Sequence, residues 1–139
     1  MTGGVVVDRF RDLAQLLKII PDDVWVLFAD VADIVFQTNP IDYLKTIPDN
    51  QKLVVSSEGI HFNGNRWVDK NLIDSFPEYY DRLKNRTLYN AGTIAGRASV
   101  LRELSLEIYE MCLTKVNAKC HDQAAMNIIP LVLTPEISY

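Results

Sequence analysis

Two aspartates stand where an apolar run of the sequence stops. The run over 24–29 reads Val-Trp-Val-Leu-Phe-Ala, and Asp30 and Asp33 follow it three positions apart. A continuous apolar run favours a strand covered on both faces, and ligands of open α/β sheets bind outside the carboxyl ends of strands. Carboxylates at that place are hard oxygen ligands, which suit Mg²⁺ or Mn²⁺ holding diphosphate oxygens. The spacing alone equally allows that Asp30 caps a turn and that Asp33 is simply solvated.

A glycine-containing segment is the second candidate for chemistry. Residues 88–96 read Leu-Tyr-Asn-Ala-Gly-Thr-Ile-Ala-Gly. Glycine lets a backbone approach a ligand closely, and the amide of Asn90 offers both donors and an acceptor. The alternative is that Gly92 and Gly96 are ordinary turn positions on either side of a short strand.

Further acidic candidates precede a predicted helix and follow a predicted strand. Asp122 and Gln123 stand ahead of the helix, and Glu58 comes just past the strand. A carboxylate in such a place can bind sugar hydroxyls or act as a general acid or base. The alternative for Asp122 is a helix N-cap, and Glu58 has a similarly plain alternative. His61 and His121 are the only histidines, and neither has partners at metal-ligand spacing.

Apolar periodicity predicts helices that alternate with strands. Helices are predicted over 8–18, 41–47 behind an Asn39 N-cap, after Pro77, over 100–111 and over 122–129; strands are predicted over 24–29, 52–56, 93–95 and 131–133. This alternation is typical of the α/β class, with a mixed, mostly parallel sheet flanked by helices. The length of 139 residues fits a single domain over 1–139.

Charge and hydropathy argue against several classes of partner. The net charge is -4 and there is no basic run, so nucleic acid is not an expected partner. No apolar stretch approaches the roughly 20 residues that span a bilayer, and the first residues, which lack a charged start and a long apolar run, are not expected to form a signal peptide. Cys112 and Cys120 are expected to be free thiols, and the expected location is the cytoplasm.

Four segments, taken together and in order, resemble a known family. They are the runs Val-Leu-Phe-Ala-Asp-Val-Ala-Asp, Val-Val-Ser-Ser-Glu, Tyr-Asn-Ala-Gly-Thr-Ile-Ala-Gly and His-Asp-Gln-Ala-Ala-Met-Asn. The chain is thereby similar to GT-A glycosyltransferases, and most of all to the subgroup with a D-x-x-D metal motif, such as the collagen-type glycosyltransferase domains. The resemblance implies a GT-A-like core that binds a nucleotide-diphosphate sugar, usually a UDP-sugar, with Mn²⁺ or Mg²⁺.

The resemblance also implies where the ligands bind. Asp30 and Asp33 match the metal-binding motif of the family. Asn90 and Gly92 match the segment that lines the sugar pocket, and Gln123 belongs to the acidic motif that meets the donor sugar. These residues are therefore expected to be the metal ligands and the substrate-binding residues.

The catalytic residues implied by the resemblance are Asp122 and Glu58. The expected function is transfer of a sugar to an unknown acceptor, and the alternative is a non-catalytic GT-A-like binding or interaction domain. GT-A domains usually begin with a nucleotide-binding βα region, of which little precedes Asp30 here. A partial domain is therefore expected, with the secretory-pathway lumen as the alternative location. A haloacid-dehalogenase-type phosphotransferase ranks lower, because it requires D-x-D with a nucleophilic first Asp.

Overall fold

The structure, a computed structural model, describes residues 4–32, 34–115 and 122–130. Asp33, Cys120, His121 and the predicted strand 131–133 lie outside the described residues. The described helices and strands are α1 (Val5–Leu16), β1 (Trp25–Ala29), α2 (Pro40–Leu44), β2 (Leu53–His61), α3 (Arg66–Ser75), α4 (Tyr80–Leu83), β3 (Thr87–Arg97), α5 (Ala98–Leu113) and α6 (Asp122–Ile128). Within these ranges, no helix is both long enough and apolar enough to cross a membrane.

The described strands form one three-stranded sheet in the order β1-β3-β2. The predicted α/β class is confirmed, and so is the placement of the three apolar runs in one sheet. The described strands do not have the predicted mostly parallel arrangement, because β3 runs antiparallel to both of its neighbours. β1 and β2 do share a direction, as a crossover through α2 requires, but β3 lies between them and supplies all of their pairing. The GT-A core stays a prediction.

The inner face of the sheet carries the hydrophobic core. Ile94 of β3 and Leu53 of β2 are completely buried. Helices α5 and α6 pack over β3, and α1 packs on α5. The helix predicted over 100–111 from the spacing of Leu101, Leu104, Ile108 and Met111 is confirmed as α5; the first three are buried and Met111 is partly buried against the core. Each such side chain contributes about 1.5–3 kcal/mol by leaving water, so this stripe holds α5 against the sheet.

Asparagine caps begin two of the helices. The predicted cap at Asn39 is confirmed, because its side chain accepts a hydrogen bond from the backbone N–H of Ile41 at 3.1 Å. The capping of α3 was not predicted: the side chain of Asn65 accepts bonds from the N–H groups of Trp67 and Val68. The sequence signal for such a helix is an Asn followed by two apolar residues four positions apart, here Val68 and Leu72.

The solvent face of α5 carries three glutamates at helical spacing. Burial against its neighbours raises the pKa of Glu107 above its ordinary value of 4.5, and the carboxylates of Glu103 and Glu110 raise it further. The folded chain therefore holds this proton more tightly than the unfolded chain does. It follows that ionising Glu107 lowers stability as the pH rises through the raised pKa.

We expect Glu107→Gln to stabilise the protein at pH 7 and to have no effect at pH 3. At neutral pH the change removes the desolvation cost of an ionised carboxylate and also two like-charge pairs, each of which costs roughly 0.2–0.5 kcal/mol. At pH 3 both states already carry the proton. Glu78→Gln is the control of opposite sign, because a hydrogen bond from its own backbone N–H and then Lys115 lower the pKa of Glu78. Urea unfolding at the two pH values measures both variants; a stabilisation by Glu107→Gln that persists at pH 3 would contradict the electrostatic cause.

Candidate functional site

The pairing between β2 and β3 breaks where the candidate residues lie. Val55 pairs with Ile94, but the next residue, Ser56, pairs with Asn90, so the pairing skips 91–93 of β3. A second break lies between Ser57 and His61. Bulges of this kind bend a strand and re-aim its side chains, and they are frequent next to active sites. Neither of these two breaks in the strand pairing was predicted from the sequence.

Two polar side chains, those of Asp30 and Asn90, lie close to the backbone of Gly92. A Cβ placed on Gly92 would lie 2.5 Å from Oδ2 of Asp30 and 2.8 Å from Oδ1 of Asn90. The Gly92 N–H donates to that Asn90 oxygen at 2.6 Å, and its carbonyl accepts from the backbone N–H of Asp30 at 2.8 Å. A larger residue at this position would therefore displace the Asp30 carboxylate and the Asn90 amide, which both lie over the backbone of Gly92.

Arg9 of α1 joins two of the predicted site residues. Its Nη1 donates to Oδ1 of Asp30, and its Nη2 donates to Oδ2 of Asp122 at 2.6 Å. The side chains of Arg9 and Asp122 are only 24% and 13% exposed. Charged pairs that are partly shielded from water interact more strongly than exposed ones, so this contact is more than a surface salt bridge. Asp30 and Asp122, distant in sequence, thus meet on one guanidinium.

The guanidinium of Arg9 lies against two aromatic rings. Its central carbon lies 5.0 Å from the ring centroid of Phe10 and 5.4 Å from that of Phe28. Nη2 also lies 3.4 Å from the carbonyl oxygen of Ala91. Aromatic faces attract cations and are rigid. The two rings therefore help to hold the guanidinium of Arg9 where it reaches the carboxylates of Asp30 and Asp122.

Asn127 fixes α6, and with it Asp122, against the sheet. This side chain is fully buried. It accepts from the N–H of Tyr89 and donates to the carbonyl of Tyr89, both at 2.8 Å, and it also donates to the carbonyl of Gln123 at 2.7 Å. Buried side-chain bonds to backbone of this kind define a single position of one element on another.

The remaining predicted site residues are Glu58, Gln123 and Asp33. Glu58 lies inside β2, not past its end as predicted, and its Oε1 accepts from Nδ2 of Asn90 at 2.6 Å. Both line an open cleft of about 450 Å³. Gln123 follows Asp122 in the first turn of α6 and is half-buried. Asp33 lies outside the described residues, so the metal motif is described only at Asp30.

The oxygen atoms nearest the backbone of Gly92 already have partners. Oδ1 of Asn90 accepts a hydrogen bond from the Gly92 N–H at 2.6 Å, and Oδ1 of Asp30 accepts one from Arg9. Mg²⁺ usually takes one or two carboxylates and completes its shell with water and substrate phosphates. The described ranges contain no group of three His, Cys, Asp or Glu side chains that could hold a metal ion. Among the described residues of the site, Asp30 is the carboxylate that could contribute to holding a cation, with the other ligands supplied by water or by phosphate oxygens of a substrate.

Two residues that position the site were missed from the sequence. Arg9 lies in the helix predicted over 8–18 and Asn127 in the helix predicted over 122–129, and neither was predicted to take part in the site. The sequence gives only a weak signal for Arg9. It is a cation directly before Phe10, and Phe10 packs on Phe28 of the strand that ends before Asp30. A polar residue among Ala125, Met126 and Ile128 is a better signal for Asn127, since buried amides are normally bonded.

Comparisons of the chain with protein-family models, with curated proteins and with solved structures found no match.

We expect Arg9→Met to lower the free energy of unfolding by about 1–3 kcal/mol, because it leaves two partly buried carboxylates without their shared donor. Arg11→Met is the matched control on the same helix, where the side chain is 40% exposed. A change there should stay within about 0.5 kcal/mol. Urea unfolding measures both variants.

Adding Asp122→Asn to Arg9→Met should recover part of the loss, because the double variant removes one of the uncompensated charges. A double variant whose loss equals the sum of the two single losses would contradict coupling through the guanidinium.

Proposed function

We propose that this chain is part of a glycosyltransferase that moves a sugar from a nucleotide-diphosphate sugar to an acceptor hydroxyl, with Mg²⁺ or Mn²⁺. The observation that carries the proposal is the meeting of Asp30 and Asp122 on one guanidinium, beside Asn90 and Gly92. These residues come from a strand end, a strand bulge and the first turn of a helix. Polar groups that converge from separate elements beside an open cleft are typical of a ligand site.

The chemistry assigns a distinct task to each carboxylate. The acceptor oxygen forms a bond to the anomeric carbon of the donor sugar, and the bond from that carbon to the nucleoside diphosphate breaks, with the electron pair leaving on the diphosphate. Glu58 takes the proton that the acceptor hydroxyl loses. A bound divalent cation supplies charge neutralisation for the leaving diphosphate. Glu58 carries out its step from a carboxylate that Asn90 already orients.

Donor binding falls to the residues at the start of α6 and in the bulge of β3. Asp122 accepts hydrogen bonds from hydroxyls of the donor sugar, and Gln123 and Asn90 offer amide donors and acceptors. Arg9 is a positioning residue, because it orients Asp30 and Asp122 before a ligand arrives. A preoriented set of polar groups lowers the entropy that binding must remove.

A second function, a non-catalytic binding domain, is favoured by one specific observation. Arg9 already places a positive charge between Asp30 and Asp122. If the guanidinium permanently replaces the cation, these carboxylates serve to tie α1, β1 and α6 together. Metal-dependent nucleotide binding separates the two functions, because only the enzyme requires it.

We expect UDP to bind the protein in the presence of Mn²⁺ and to lose at least tenfold in affinity without it. Asp30→Asn and Asp33→Ala should abolish the metal-dependent part. Gly92→Ala should weaken it, since its Cβ would displace the Asp30 carboxylate. Asp42→Asn is the control, because that side chain is 70% exposed on α2. Calorimetry measures all five proteins; metal-independent or unchanged binding would reject the enzyme in favour of the binding domain.

We expect Asp122→Asn to lower sugar transfer by about 100-fold or more, the scale of a lost catalytic or orienting group. The change keeps the size of the side chain and removes its charge. Release of UDP from UDP-sugars measures turnover, and thermal unfolding measures stability in parallel. Asp74→Asn on exposed α3 is the control. Unchanged turnover would mean that Asp122 serves only to bind Arg9.

A further inference from the structure

The outer face of the sheet, opposite the core, contains an apolar pocket. Leu27, Ala95 and Val54 form one cross-strand row, because Ala95 pairs with both of the others. Pro40, Tyr43 and Leu44 of α2 line the other side of the pocket. Glu58 and Asn90 of the site described above line the adjoining cleft and not this pocket.

The volume of the pocket suits one ring-sized group. It measures about 160 Å³. Apolar cavities of about 150 Å³ stay dry and bind benzene. The aromatic rings of Phe36 and Tyr43 border the pocket while remaining 49% and 57% exposed. A ring bound there would gain offset or edge-to-face contacts and would cover aromatic surface that otherwise faces water.

The apolar pocket is continuous with the polar cleft. Phe36, Ser56 and Thr93 line both spaces. Glu58 and Asn90 lie in the polar part, which measures about 450 Å³. A single ligand that enters this combined space therefore meets an apolar wall at one end and a carboxylate–amide pair at the other. Sites with one apolar compartment and a few convergent polar groups select amphipathic small molecules.

We propose that the pocket between α2 and the sheet binds the aryl ring of a small hydroxylated molecule, whose hydroxyls lie against Glu58 and Asn90. As an acceptor site this inference rests on the proposed function, and it names the acceptor class as an aryl-bearing alcohol or glycoside. The ring anchors the molecule beside Leu27 and Ala95. Its hydroxyl loses a proton to Glu58 as the oxygen bonds to the anomeric carbon and the nucleoside diphosphate leaves.

The test uses the full chain with three probes, phenol, phenyl β-D-glucopyranoside and methyl β-D-glucopyranoside. In ¹H–¹⁵N NMR spectra, phenol should shift the backbone amides of Leu27, Val54 and Ala95. The phenyl glucoside should bind at least tenfold more tightly than the methyl glucoside, which equals about 1.4 kcal/mol. The absence of shifts at these amides, or equal affinities of the two glucosides, would overturn the inference.

Two variants change the size of the pocket from opposite walls. Ala95→Leu fills it and should lower phenol affinity at least tenfold. Leu44→Ala enlarges it and should favour 2-naphthol over phenol, and it decides the question if Ala95→Leu does not fold. Leu16→Ala is the matched control, since that leucine is 58% exposed on α1. Phenol affinity that is unchanged in Ala95→Leu, or a probe preference that is unchanged in Leu44→Ala, would overturn the inference.

A titration with UDP and Mn²⁺ on the same samples separates this inference from the proposed function. Ring binding without UDP binding would reject sugar transfer, and with it the acceptor role, and would leave the aryl pocket standing. UDP binding without ring binding would reject the aryl pocket and leave sugar transfer standing.

Discussion

The ion pairs of Arg9 with Asp30 and Asp122 connect the three elements on which the candidate site depends. The guanidinium belongs to α1, one carboxylate follows β1, and the other begins α6. The third carboxylate of the candidate site, Glu58, is held by the Asn90 amide instead. Without Arg9, the partly shielded carboxylates would face each other with no shared donor, which costs free energy. The site and the packing of α1 against the sheet are therefore parts of one arrangement.

The irregular stretch of β3 gives that arrangement its shape. A regular ladder would alternate side chains between the two faces of the sheet and would leave no room for two polar groups over one backbone position. The pairing with β2 skips 91–93, and Gly92 accommodates the side chains of Asp30 and Asn90 together. A positive φ of 69° at Gly59 accompanies the second break, next to Glu58. Both polar groups of the cleft thus lie at breaks in the ladder.

The two faces of the sheet have different tasks. The inner face buries Ile94 and Leu53 under the helices, which supplies the stability that holds strained or charged groups in place. The outer face carries a ring-sized space lined in part by residues of the short α2, and this space adjoins the polar cleft. A rigid inner face beneath a partly open outer face is suited to ligand binding, because binding then requires little rearrangement of the core.

Local sequence determined the elements whose signals are local. The apolar run before Asp30, the Asn39 cap and the stripe Leu101, Leu104 and Ile108 each predict their element, because periodicity and capping act within a few residues. The same is true of Asp30 after β1 and Asp122 at the start of α6, whereas Glu58 and Asn90 lie within longer strands than predicted. Strand direction, the bulges and the contact of Arg9 with Asp122 were decided only by the tertiary structure. They depend on which distant groups share a small, partly dry space, and no local pattern carries that information.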